Sequence, residues 1–127
     1  MTTETPKFNQ LLPILFVRDL KSEIDFYKSF GFEISYQGDE FPGFVGLKKD
    51  NIEFGLEERK NFDPQKAKDS FIWQMDTDSF SKVMAICDAN GIEYSKPRQY
   101  WEKMDGWEMY IKTPNGYTLQ LEKIGKD

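Results

Sequence analysis

The chain has 127 residues, the size of a single domain, and 39% of them are hydrophobic and 16% aromatic. Seventeen basic residues stand against 22 acidic ones, a net charge of −5, which argues against a nucleic-acid partner because phosphates need a basic face. Histidine is absent and there is one cysteine, which excludes an internal disulfide, a histidine-activated nucleophile and a nitrogen- or thiolate-rich zinc, iron, nickel or copper site.

The first ten residues are polar and lack an apolar signal core. No apolar run approaches the roughly 20 residues that a membrane span needs. The expectation is a soluble, cytoplasmic protein with no membrane partner. No glycine-rich phosphate loop is present.

From Leu11 an apolar run leads to Asp19, an N-cap candidate because a short carboxylate accepts from the free N–H groups of a first helical turn. Leu20, Ile24 and Tyr27 recur at helical spacing, and Gly31 suits the left-handed position that ends a helix. Strand-like segments follow at about 31–37, 41–48 and 51–57, broken by Gly38-Asp39-Glu40 and by Lys48-Lys49-Asp50-Asn51. The stretch from Glu58 to Asp69 is charged, holds Pro64 and reads as a linker.

The pattern then starts again. An apolar run from Phe71 leads to Asp78, a second N-cap candidate, and Phe80, Val83, Met84 and Cys87 form a helical stripe that Gly91 closes. Strand-like segments follow at about 91–96, 106–112 and 116–123, the last two joined by the turn signal Thr113-Pro114-Asn115-Gly116. Asp19 and Asp78 are 59 apart and Gly31 and Gly91 are 60 apart, so the two copies stay nearly in step. Neither half is large enough to hold a core alone. The expected architecture is α+β over residues 1–127 as one domain, with repeat one at about 11–58 and repeat two at about 69–123. Eight strands and two helices in βαβββ–βαβββ order would form mixed sheets curled around a cleft, helices outside.

Two segments carry a family resemblance. PILFVRDLKSEIDFYKSFGFE, near the start, and MYIKTPNGYTLQLE, near the end, resemble motifs of the vicinal-oxygen-chelate superfamily, which groups glyoxalases, bleomycin-resistance proteins and extradiol dioxygenases. Thr113 replaces the usual Asp of the hairpin motif. Metal-dependent members carry ligands at corresponding points on four inner strands. By spacing from Asp19, Asp78 and the two hairpins, those points are Leu12, Phe71, Gly55 and Gln120, and none is an ionisable ligand. The resemblance therefore implies a metal-free chain with no cofactor, closest to the antibiotic-binding branch. FVGLKKDNIEFGLEE, FIWQM and GWEMYIKTPNG look like elements of that branch. In it a homodimer makes two clefts that take a large, flat, cationic drug.

Candidate ligand-binding residues follow from the resemblance and from alternation along the strands. Trp73 sits where the branch has a ligand-facing Trp; if Phe71 faces the cleft, Trp73 and Met75 do too. The alternative is a core Trp, and the cleft-facing register has the drawback of turning Gln74 and Asp76 toward the helices. Trp101 and Trp107 flank Glu102-Lys103-Met104-Asp105-Gly106 in what reads as a loop before the seventh strand, with core or dimer-interface roles as alternatives. Phe41 and Phe44 bracket Pro42-Gly43 and could form an aromatic rim, or a turn with one ring packed inward. Glu53 and Glu57 share one strand face, and Gln120 shares another with Thr118 and Glu122, so a cleft lined by them would be acidic; plain solvent exposure is the alternative. Cys87 lies on the apolar helical stripe and reads as a buried thiol.

The function expected is non-catalytic binding and sequestration of a planar, cationic small molecule, as in resistance to bleomycin-type antibiotics, by a homodimer and with no catalytic residue. One alternative is a carboxylate-only lyase or isomerase using Mg²⁺ or Mn²⁺, which accept oxygen ligands. Another is a module with a vestigial cleft that serves only dimerisation or partner binding.

Overall fold

The computed structural model describes residues 4–68 and 70–127; Asp69, where the second repeat was expected to begin, and the first three residues lie outside them. The order is β1 (Ile14–Val17), α1 (Leu20–Ser29), β2 (Glu33–Tyr36), β3 (Phe44–Lys49), β4 (Ile52–Glu58), α2 (Pro64–Ala67), β5 (Ile72–Asp76), α3 (Phe80–Asn90), β6 (Arg98–Trp101), β7 (Gly106–Lys112) and β8 (Thr118–Ile124). The expected repeat of βαβββ units is present, with one addition: the linker contains the short helix α2, capped by the Asp63 carboxylate.

Each repeat closes a four-stranded mixed sheet, ordered β1-β4-β3-β2 in the first and β5-β8-β7-β6 in the second. In both, the first strand runs parallel to the fourth and the other pairs are antiparallel. The sheets form no closed barrel. Both pack one face inward. Leu15, Val17, Val45, Leu47, Phe54 and Leu56 of the first sheet and Met75, Met109, Ile111, Leu119 and Leu121 of the second join one core cluster with Phe26, Tyr27, Phe80, Val83 and Cys87 of the helices.

The helix ends follow their capping chemistry. The Asp19 side chain accepts from Ser22 N, and Gly31 beyond the helix has a φ of +94°. At α3 the cap is Ser79, not Asp78: Ser79 Oγ accepts from Lys82 N at 3.1 Å, and Gly91 closes the helix at a φ of +68°. This shifts the second repeat by one residue relative to the expectation. The segment expected as a strand at 91–96 makes a single bridge, Tyr94 to Ile111. The edge strand β6 instead begins after Pro97, which has no N–H to offer a ladder and suits the lip of an edge strand.

The repeats are fastened to each other by the turn between β7 and β8. Asn115 Oδ1 accepts from the backbone N–H groups of Arg18 and Asp19, both at 2.8 Å, and its Nδ2 donates to the Asp19 carbonyl and to Glu23 Oε1, both at 2.9 Å. Tyr117, at the foot of β8, donates its hydroxyl to the Phe16 carbonyl at 2.5 Å.

Candidate functional site

The core claims one face of each sheet and leaves the other open. On the first sheet, strand pairing arranges the open face in rows that cross the strands. Lys48 stands opposite Glu53; Gly46, Gly55 and Ile14 form the next row; Phe44, Glu57 and Phe16 form the third. Gly55 is required there by its neighbour, because a Cβ at this position would lie 2.7 Å from the Phe44 ring. Phe44 also packs on Tyr36, which packs on Phe41, so three rings make a rim at one end of the face. Beside this rim opens a cleft of about 540 Å³ lined by Glu40, Phe41, Pro42, Phe44, Glu57 and Glu58. Arg59 folds back over the same face: its Nε donates to Glu57 and its guanidinium carbon lies 4.4 Å from the Phe16 ring centroid.

The open face of the second sheet is polar. Arg98, Glu108, Glu122 and Asp76 form one row, and Tyr110, Gln120 and Gln74 form the next. Glu108 is 4% exposed, a charge removed from water, and four donors compensate it. Arg98 donates to Oε1 through Nε and lies at 2.8 Å through Nη2, Gln120 Nε2 donates to Oε2 at 2.7 Å, and the Tyr110 hydroxyl donates to Oε2 at 3.1 Å. Tyr100 reaches across the sheet and donates to Glu122, which pushes its pKa up to about 12, the hydrogen bond to that carboxylate being the largest cause. A β-bulge between Gln99 and Trp101 puts both Tyr100 and Trp101 against Gly106, where a Cβ would meet them at 3.1–3.3 Å.

The structure places several residues singled out by sequence on these faces. Phe41 is exposed at the rim, Phe44 is half-buried beside it, and Glu57 joins both in lining the cleft. Glu53 is exposed on the same face at the opposite end, across from Lys48, and Gln120 lies on the open face of the second sheet as a ligand of Glu108. Trp101 lies on the open face, though in a strand of the hairpin β6–β7 and not in a loop.

Two tryptophans are elsewhere. Trp73 faces the core, edge-on to Phe54 at 5.1 Å and to Phe71 at 6.0 Å, with its Nε1 buried and unpartnered. The open face of β5 belongs to Ile72, Gln74 and Asp76, which pair with Thr118, Gln120 and Glu122. The expected register was one residue out, and such a slip inverts every side chain of a strand. Trp107 packs at the edge of the core with Met109 and Ile111, donating its Nε1 to Asp105 at 2.7 Å, on the side of the sheet away from Trp101. Strand pairing also sets different residues beside two of the positions compared with metal-dependent relatives. Gly55 pairs with Ile14, not Leu12, and Gln120 pairs with Gln74, not Phe71. Two residues without a side-chain donor and two neutral amides do not fit a divalent transition metal. Among the described residues no three Asp, Glu, Cys or His side chains converge.

Three contributors were missed by sequence reasoning. Phe16 was hidden in the continuous apolar run of β1, where alternation is invisible. Arg59 sat in the presumed linker. Arg98 belongs to a strand placed too early.

The sequence profile of the glyoxalase/bleomycin resistance protein/dioxygenase superfamily matches residues 7–121, and the chain belongs to that superfamily. Among solved structures it is similar to a bleomycin resistance determinant encoded on the transposon Tn5, at 21% identity over 92% of this chain and 98% of that one, with a TM-score of 0.74. It is similar to a bleomycin-binding protein complexed with bleomycin, at 22% identity, 94% and 100% coverage and a TM-score of 0.71. It is equally similar in fold to a glyoxalase family protein from Enterococcus faecalis, at 17% identity, 91% and 98% coverage and a TM-score of 0.73. At these identities the likeness establishes the fold alone. No curated protein matches the chain. No helix among the described residues is long and apolar enough to cross a membrane.

Proposed function

We propose that the chain works as one domain that binds and sequesters a planar, cationic small molecule without transforming it, in the manner of bleomycin-type resistance, and that it does so in the cytoplasm as a homodimer. The observation that carries this reading is the row Phe44–Glu57–Phe16, a carboxylate between two aromatic rings on an open sheet face, beside a cleft rimmed by Phe41 and Tyr36. Rings offer stacking surface, and the carboxylate offers a counter-charge.

Titration calorimetry with bleomycin tests the reading. Saturable binding to the native chain is expected, and Phe44→Ala should weaken it about two- to ten-fold, the worth of one aromatic stack. The absence of any saturable heat would defeat the reading.

The dimer is supported by apolar side chains that the open faces leave in water away from the Phe44–Glu57–Phe16 row: Ile14 is 49% exposed, Ile72 55% and Ile124 62%. Apolar side chains exposed in this way on a sheet are ordinarily covered by a second subunit. Sedimentation should return twice the chain mass of 15.0 kDa at micromolar concentration. A monomer throughout that range would contradict the proposal.

A further inference from the structure

We infer that Arg59 is a built-in competitor: its guanidinium holds the Phe16–Glu57 position in the free protein, and a ligand enters by displacing it with a guanidinium or amidinium of its own. The inference rests on the ligand-binding reading of the open faces and narrows it to one cation chemistry. Three observations carry it. The backbone N–H of Arg59 donates to the Val17 carbonyl at 2.8 Å, which extends the β1–β4 pairing past Glu58 and sends the Arg59 side chain out on the face of Glu57. Phe16 and Glu57 are direct register partners, so a ring face and a carboxylate lie side by side. The Arg59 guanidinium uses both at once, 4.4 Å above the ring and hydrogen-bonded at 2.5 Å to the carboxylate.

A flat, delocalised cation can lie on a ring and still direct in-plane N–H groups at a carboxylate. A compact ammonium cannot do both as well. The chain's own guanidinium therefore displays the chemistry that the position accepts. The contact is also easily released, since the Arg59 side chain is 53% exposed and an exposed pair of this kind holds weakly. Released, it leaves Glu57 facing the cleft beside Phe44, with room for the rest of a ligand. If the guanidinium occupies the position about four-fifths of the time, it lowers the apparent affinity of a competing cation roughly five-fold.

The test is a fluorescence titration of the intact protein with 4-aminobenzamidine, a planar amidinium. Arg59→Gln should bind it roughly five-fold tighter than the unaltered chain. Glu57→Gln should lose binding, and the neutral 4-aminobenzamide should bind neither form. Lys60→Gln is the control for bulk charge, because Lys60 is exposed and pairs with Glu58 without touching Phe16. It should change affinity by less than about two-fold, as a screened surface charge does. Unchanged or weaker binding by Arg59→Gln, an equal gain from Lys60→Gln, or no amidine binding to any form would overturn the inference. Bleomycin calorimetry on the same samples separates the two ideas: if bleomycin binds while Arg59→Gln leaves the amidine unaffected, the competitor falls and the binding reading stands. If no saturable binding of either compound is seen, both fall.

Discussion

Trp73→Ala is expected to cost about 3 kcal/mol of folding free energy, the low end of the range for emptying a buried tryptophan site, because the ring is half-buried against the core. In a chain of this size that lowers the melting midpoint by roughly 10–20 °C. The ring sits between the repeats, edge-on to Phe54 of the first sheet and to Phe71 just before β5, and packs against the shared core. Its removal opens a void where α1 and the two sheets meet. Trp73→Phe should cost far less, because it keeps most of the apolar volume and discards an Nε1 that is buried without a partner. The Tyr27 hydroxyl is likewise buried without a partner, and burial pushes its pKa well above its ordinary value. Urea denaturation of both variants checks the claim. The folded fraction of Trp73→Ala should still bind ligand, since the ring faces away from the open sheet. A loss of less than about 1 kcal/mol would mean that Trp73 does not fill the core.

The same residue shows how far the sequence could be read. The repeat, both helices and seven of the eight strands follow from periodicity and turn signals, because each is a local property of the chain. The register of β5 does not. Asp78 and Ser79 are adjacent and both cap well, so capping chemistry alone cannot choose between them. The closing glycines can: Gly31 and Gly91 are 60 apart, as are Asp19 and Ser79, whereas Asp19 and Asp78 are 59 apart. The discarded residue moves Trp73 from the open face to the core and brings out Gln74 and Asp76. It also removes the misfit of two polar side chains pointing at helices.

The open faces were legible only where alternation is visible. Glu57 and Gln120 lie in strands that alternate polar with apolar residues, and their faces are placed as expected. Phe16 lies in an uninterrupted apolar strand and becomes distinguishable only through its pairing with Glu57. Glu108 alternates cleanly with Met109, yet nothing local announces that it is buried. Its burial depends on Arg98, Gln120 and Tyr110 arriving from three strands. The Asp105-Gly106 pair was the available sign that Trp101 and Trp107 flank a hairpin and so lie in strands.

Asn115→Ala is the second large effect expected, a loss of about 2–4 kcal/mol at neutral pH that shrinks as the pH is lowered. Asn115 is 2% exposed and satisfies the first N–H groups leading into α1 while donating to Glu23. Glu23 is itself fully buried, and its second oxygen has no partner. Burial raises its pKa, and the hydrogen bonds from Asn115 oppose that rise. A carboxyl whose folded pKa is raised contributes stability that is complete below the unfolded pKa and is lost as pH rises through the folded value. Removing the Asn115 amide takes away part of what holds the charged form, so the folded pKa of Glu23 climbs further and the penalty grows above it. Alanine therefore costs most where Glu23 must ionise and least where it stays protonated. Denaturation at pH 7.5 and at pH 5 should show the smaller difference from the unaltered chain at the lower pH. In the Glu23→Gln background the cost of adding Asn115→Ala should no longer depend on pH, because no titrating group remains in the clamp. An Asn115→Ala penalty that is the same at both pH values would show that Glu23 is not the group coupled to the turn.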